Sequence, residues 1–226
     1  MKAVAERLRV AFRQMRTAVA VMATKRSISR EVYFAPYRPY WLLVAFPALR
    51  LERGWDLVGY TVFMGRSART LHFACRGLPP GPEWLAKQVE DLSWAPFAGG
   101  LPRSIPSCLD PRVAARVRCQ SGPEGWWQLA CFVRWLEAAG QAGTGGEVGF
   151  VDVVTSPADV AGRRWKLLGP EPSCWLPRAR PEEKGVIVEW HEKVERGSEL
   201  LVVGVRYLLR PDGEVEKLAE VPLLAK

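Results

Sequence analysis

Two histidines, five cysteines and a few carboxylates carry all the acid–base, nucleophilic or metal chemistry this 226-residue chain could do. His191 lies in Val188-Glu-Trp-His-Glu-Lys193, flanked by Glu189 and Glu192. An imidazole titrates near neutral pH, and a nearby carboxylate can orient it and favour its charged form, so His191 with Glu189 is the candidate acid/base pair. On a strand, Glu189 and His191 share one face and Glu192 takes the other. One imidazole and one carboxylate fall short of the ligands zinc takes, so no metal and no cofactor are expected. His72 alternates with strand neighbours and reads as structural. Cys75, Cys108, Cys119, Cys131 and Cys174 form no Cys-x-x-Cys pair and no zinc spacing, which points to reduced, buried thiols in a cytoplasmic protein. The acids Asp152, Glu189, Glu192 and Glu195 lack the lysine partner of a metal nuclease. The sequence contains no Gly-x-x-x-x-Gly-Lys loop, no Gly-x-Ser-x-Gly and no His-Glu-x-x-His. A His/carboxylate hydrolase is therefore the third of the functional readings.

The charge is distributed unevenly. Residues 1–30 hold eight basic side chains and one acid, a net of +7, so the remaining 196 residues carry only +1 of the total +8. Val4, Leu8, Phe12, Met15, Val19 and Met22 recur at spacings of three and four, which predicts an amphipathic helix. Arg9, Arg13 and Arg16 form a second stripe about 100° round the cylinder. Such a helix either buries Leu8, Phe12 and Met15 with its arginines solvated, or lies on phosphate or an anionic membrane surface. A transit peptide shares this arginine-rich, acid-poor composition and ranks third. The candidate nucleic-acid contacts here are Arg7, Arg9, Arg13, Arg16, Lys25 and Arg26. No apolar run reaches 18 residues and charges interrupt the segment after Lys2, so neither an integral membrane segment nor a secretory signal is expected.

These residues need elements to hold them. Tyr40–Phe46, Asp56–Phe63 and Arg69–Arg76 read as strands from their aromatic and branched content. Pro79-Pro80-Gly81-Pro82 breaks the chain before a helix over Glu83–Leu92, and Ser93–Pro111 reads as irregular. Asp110-Pro111 predicts an N-capped short helix through Arg118. Trp126–Ala139 predicts a buried helix, apolar over more than half its surface. A strand over Phe150–Val154 follows, then strands over Gly185–Glu195, Leu200–Leu209 and Glu214–Leu223. Arg210-Pro-Asp-Gly213 marks a hairpin turn. Ten tryptophans suit a core, a partner interface or a base-stacking platform equally.

Between the helix and the strand at Phe150 runs Gly140-Gln-Ala-Gly-Thr-Gly-Gly-Glu-Val-Gly149. The unit spanning 126–154 resembles the C-terminal part of the RAMP-type CRISPR RNA-binding and RNA-processing proteins, in which a helix ends in a loop of spaced glycines that contacts RNA. The resemblance covers Trp135-Leu-Glu-Ala-Ala-Gly140 and Gly143, Gly145, Gly146 and Gly149-Phe150, about thirty residues in all. It departs from the family in its glycine spacing, in beginning with a helix, and in the seventy-odd residues that follow. It implies that Gly143, Gly145 and Gly146 contact RNA, which glycine permits by letting backbone N–H groups approach phosphate. A plain linker between two lobes is the competing reading.

The expected fold is α+β: a basic N-terminal helix over 1–30, a mixed α/β body over 31–139 and a mainly antiparallel β-rich C-terminal lobe over 147–226. The expected function is nucleic-acid binding, RNA before DNA, as a non-catalytic component of a larger complex. A structural subunit with Trp-rich protein interfaces is the alternative.

Overall fold

The computed structural model describes residues 43–64, 67–81, 83–85, 104–141, 149–161, 165–196 and 199–226. It also describes 33–37, Pro102 and five helical N-terminal positions: Ala3, Val4, Glu6, Arg7 and Val10. The fold is α+β. A four-stranded sheet runs in the order β1 (Tyr33–Tyr37), β3 (Trp55–Met64), β4 (Ser67–Arg76), β5 (Leu109–Asp110). β2 (Leu49–Leu51) pairs separately with β6 (Val117–Cys119). The C-terminal sheet has six strands: β7 (Gly149–Val154), β8 (Lys166–Leu167), β9 (Arg178–Glu182), β10 (Gly185–Arg196), β11 (Glu199–Leu209) and β12 (Val215–Ala225). Its order is β7-β10-β11-β12-β8, with β9 also on β10. Every pairing is antiparallel.

Alternation along β10 and β11 decides what the C-terminal sheet buries. Val188, Trp190, Glu192 and Val194 face inward together with Leu201, Val203, Val205, Tyr207 and Leu209, and all are buried. The one long described helix, α1 (Pro123–Gln141), lies against this face. Pro123 at its start has no N–H to lose. Trp127, Ala130, Cys131, Phe132, Trp135 and Leu136 are buried, so the wide apolar face read from sequence is the packed face. Phe46 completes the layer, its ring edge-on to Trp135 at 5.3 Å and to Phe132 at 5.6 Å. The same core takes in Val4, Leu43, Leu49 and Val117, so it draws on residues from both sides of 140–149. A smaller core under the four-stranded sheet joins Val58, Tyr60, Phe73, Cys75, Leu85 and Leu109.

Two sequence expectations change. Residues 43–46 of the strand expected over Tyr40–Phe46 do not form one: Leu43 and Val44 are helical, and Phe46 N–H and Leu49 N–H close successive turns onto Leu43 and Phe46 carbonyls at 2.9 Å. Residues 38–42 lie outside the described ones. Asp110 does not cap a helix through Arg118. The 3-10 turn Val113–Arg116 begins after Arg112, and 117–119 is already β6. Asp110 instead accepts from the Arg112 N–H at 2.9 Å and the Arg116 guanidinium at 2.8 Å, which holds the turn from two residues upstream. Of the helix expected over Glu83–Leu92, residues 83–85 are helical and the rest lie outside the described residues.

The hairpin turn joining β11 to β12 has the geometry its Asp-Gly pair predicts. Gly213 adopts φ +85, and a Cβ there would come within 2.8 Å of Ala115 Cα, so glycine serves both the turn and the contact. β12 is irregular. Its register against β11 shifts at Val202/Val203 and at Arg206/Tyr207, Pro222 sits opposite Val203, and β8 covers only Leu224 and Ala225. No described helix is long and apolar enough to cross a membrane.

Candidate functional site

β10 carries the titratable residues. On its outer face His191 lies opposite Gly204 of β11 and Val154 of β7, and its ring rests 5.2 Å from that of Trp175, tilted by 54°. A Cβ at position 204 would meet the His191 ring at 3.7 Å, an ordinary packing distance. Burial pushes the His191 pKa down, with the Trp175 backbone and Glu189 pulling the other way. Glu189 shares this face, as alternation predicts, but its carboxylate is bound to Arg206 Nε at 2.5 Å. The carboxylate is thus held by arginine, and tryptophan packs on the imidazole. Beside them, the Arg178 guanidinium holds the Cys174 thiol below its usual range.

On the inner face, Glu192 is completely buried. Arg134 of α1 donates to its Oε1 through Nε at 2.8 Å, a second guanidinium nitrogen lies 2.7 Å from the same oxygen as an ion pair, and Trp190 Nε1 donates to Oε2 at 3.1 Å. Arg134 also reaches Glu220 of β12 at 3.2 Å. Beside this, the Tyr207 hydroxyl donates to Glu137 Oε2 at 3.0 Å and its ring stacks on Trp190. Burial raises the Glu192 pKa against the pull of Arg134. Burial also works to raise that of Glu220, but Arg134, Lys217 and Arg196 outweigh it and the net shift is down. Sequence reasoning put Glu192 on the face opposite His191, and that placement holds. It missed Arg134, whose position among Trp127, Ala130 and Cys131 on the buried side of α1 was the available signal. The network fastens α1 to the sheet through charge-assisted bonds, and Glu192 and Glu220 each have a cation.

Among the described residues no three His, Cys, Asp or Glu side chains are grouped to hold a metal ion. All five cysteines are free. Burial first, then the Glu192 charge, pushes the Cys131 thiol well up and away from reactivity. Of the proposed nucleic-acid contacts, Arg7 is described and exposed, on a helix whose Val4 is buried in the main core. Arg9, Arg13, Arg16, Lys25, Arg26, Gly143, Gly145 and Gly146 lie outside the described residues. No protein family, curated protein or solved structure matches this chain.

Both imidazoles make the fold sensitive to mild acid. Burial pushes His72, opposite Gly59 in the four-stranded sheet, down to about 4, and His191 is lowered too. Unfolded imidazoles titrate near pH 6.5, so below that pH the unfolded chain binds protons the folded chain refuses. Stability is full above pH 6.5 and falls as pH drops towards 4. His72 alone accounts for roughly 2 kcal/mol between pH 7 and pH 5. Chemical denaturation at the two pH values checks this, and a His72→Gln variant should flatten most of the difference.

Proposed function

We propose that the chain binds nucleic acid, RNA before DNA, as a non-catalytic component of a larger complex. The observation that carries this is the net +7 within the first 30 residues of a chain whose remainder is nearly neutral. A cationic segment of this density attracts a phosphate backbone over a Debye length and releases its counterions on contact. Val4 is buried and Arg7 exposed, the arrangement in which a docked amphipathic helix offers its basic face to a ligand. The likeness of 126–154 to RNA-binding RAMP proteins gives RNA its preference.

The competing readings have less behind them. Seven of the eight described tryptophans sit in or against the protein's own cores, and the eighth, Trp55, lies under Arg116, which leaves few to offer a partner. Against a hydrolase stand the Glu189 carboxylate bound by Arg206 and the His191 ring packed on Trp175.

The test is RNA binding by fluorescence anisotropy over a salt series, comparing the full chain with a variant carrying Arg7, Arg9, Arg13 and Arg16→Gln. The variant should bind ten- to hundredfold more weakly at moderate salt. Its log–log salt slope should be shallower by about 0.7 for each lost contact to a single strand. Equal affinity and slope would mean that these arginines only solvate a helix.

A further inference from the structure

Six arginines meet where the β2–β6 pair approaches the start of β3. Arg50 and Arg118 are direct cross-strand partners. Leu49 and Val117 point into the core, so alternation sends Arg50 and Arg118 out on one shared face, and both are exposed. Like charges directly opposite each other weaken a strand pair. Glu52 takes Arg118 at 2.6 Å and Arg116 at 3.5 Å. Arg116 also binds Asp110 at 2.8 Å, and its guanidinium lies 4.4 Å from the Trp55 ring centre. Arg112 reaches the same Asp110 at 3.3 Å with its side chain 75% exposed. Trp55 pairs with Arg76 across β3 and β4, and Arg53 occupies the turn between Glu52 and Trp55. Six cations thus face two acids. Arg50, Arg53 and Arg76 are exposed and make no ion pair among the described residues.

We infer that this face is a second phosphate-binding surface, taking the sugar-phosphate backbone of nucleic acid. The cations are all arginine, whose planar fork matches phosphate oxygens two at a time. Glu52 and Asp110 fix Arg116, Arg118 and Arg112 in position, and Arg50, Arg53 and Arg76, without an ion pair among the described residues, stand around them. An acidic protein partner fits less well. Protein interfaces have an apolar centre, and the aromatic ring here is already covered by Arg116, whereas nucleic-acid interfaces are polar and strongly positive. The acid-rich turn at 210–216 abuts Ala115 and limits the surface on that side. There Arg210 is paired with Glu214 and Glu216. The assignment rests on the nucleic-acid reading above for the identity of its ligand, while its geometry owes nothing to residues 1–30.

The experiment uses the full chain with Arg50, Arg53 and Arg76→Gln, a labelled single-stranded RNA of mixed sequence, and poly-glutamate of equal charge as competitor. Three lost contacts should weaken binding about ten- to thirtyfold and flatten the salt slope by about 2. Because the three side chains are exposed and make no ion pair among the described residues, the melting temperature should hold. Arg50→Gln alone, which relieves a like-charge contact, should weaken binding about threefold. Unchanged affinity and slope in the triple variant overturn this surface and leave the N-terminal reading standing. Loss in the triple variant with full binding by the Arg7, Arg9, Arg13 and Arg16→Gln chain does the reverse. Poly-glutamate competing as well as RNA, charge for charge, overturns the nucleic-acid assignment in favour of an acidic protein.

Discussion

Replacing Arg134 by Leu should cost 3–5 kcal/mol of folding stability, among the largest effects of any single substitution in the chain. Glu192 is fully buried, and Arg134 is its only cation within ion-pair distance among the described residues. Deleting the guanidinium leaves a carboxylate in a site that water does not reach, with Trp190 Nε1 as its remaining donor. The carboxylate answers by taking a proton, since burial already raises its pKa and the lowering pull of Arg134 is then gone. A folded-state pKa raised above the unfolded value gives stability at low pH that is lost as pH rises through it. The variant should therefore be crippled more at pH 8 than at pH 5, opposite in sign to the histidine effect. Combining Arg134→Met with Glu192→Leu should recover most of the loss, because the charge and its desolvation leave together. Urea unfolding of the three chains at both pH values decides it. A single-variant cost under about 1 kcal/mol would mean that water reaches the pair.

Trp135→Ala should cost a comparable 3–5 kcal/mol for a different reason. Its ring is 1% exposed, lies edge-on to Phe46 at 5.3 Å, and belongs to the core that joins α1 to the C-terminal sheet. Truncation removes a large apolar area and leaves a cavity between a helix and a sheet that cannot close over it. Unlike the Arg134 effect, this loss should be independent of pH. Trp135→Phe should retain roughly half the lost stability. Thermal and denaturant unfolding read both.

The longest elements were legible because their patterns are unambiguous. The helix expected over 126–139 spans Pro123–Gln141, and the three C-terminal strands each fall within a residue or two of expectation. Tyr40–Phe46 went astray because a short apolar run suits a strand and a buried turn alike. There the deciding contact is Phe46 against α1, some ninety residues away. β5, β6 and β8 are two or three residues long and exist only through pairing with distant chain. At the site, alternation placed Glu189, His191 and Glu192 on their proper faces. It could not show that Arg206 claims Glu189 or that Trp175 covers His191, because both contacts join segments apart in sequence. The arginines around Trp55 escaped notice for the same reason. They are scattered from 50 to 118 in sequence, and only the β2–β6 and β3–β4 pairings gather them.

The irregularity of β12 bears on what happens at high concentration. A straight, bare outer strand is a template onto which a second molecule can lay its own backbone. β8 and the Leu168 N–H that follows it shield only the C-terminal end of β12, so most of that rim lies uncovered among the described residues. Two register shifts bend the strand, Pro222 withholds one backbone donor, and Lys217 places a charge along it. Edge-to-edge growth thus meets a kinked and broken row of hydrogen-bonding groups. The sheet carries its own safeguard against polymerising into fibres.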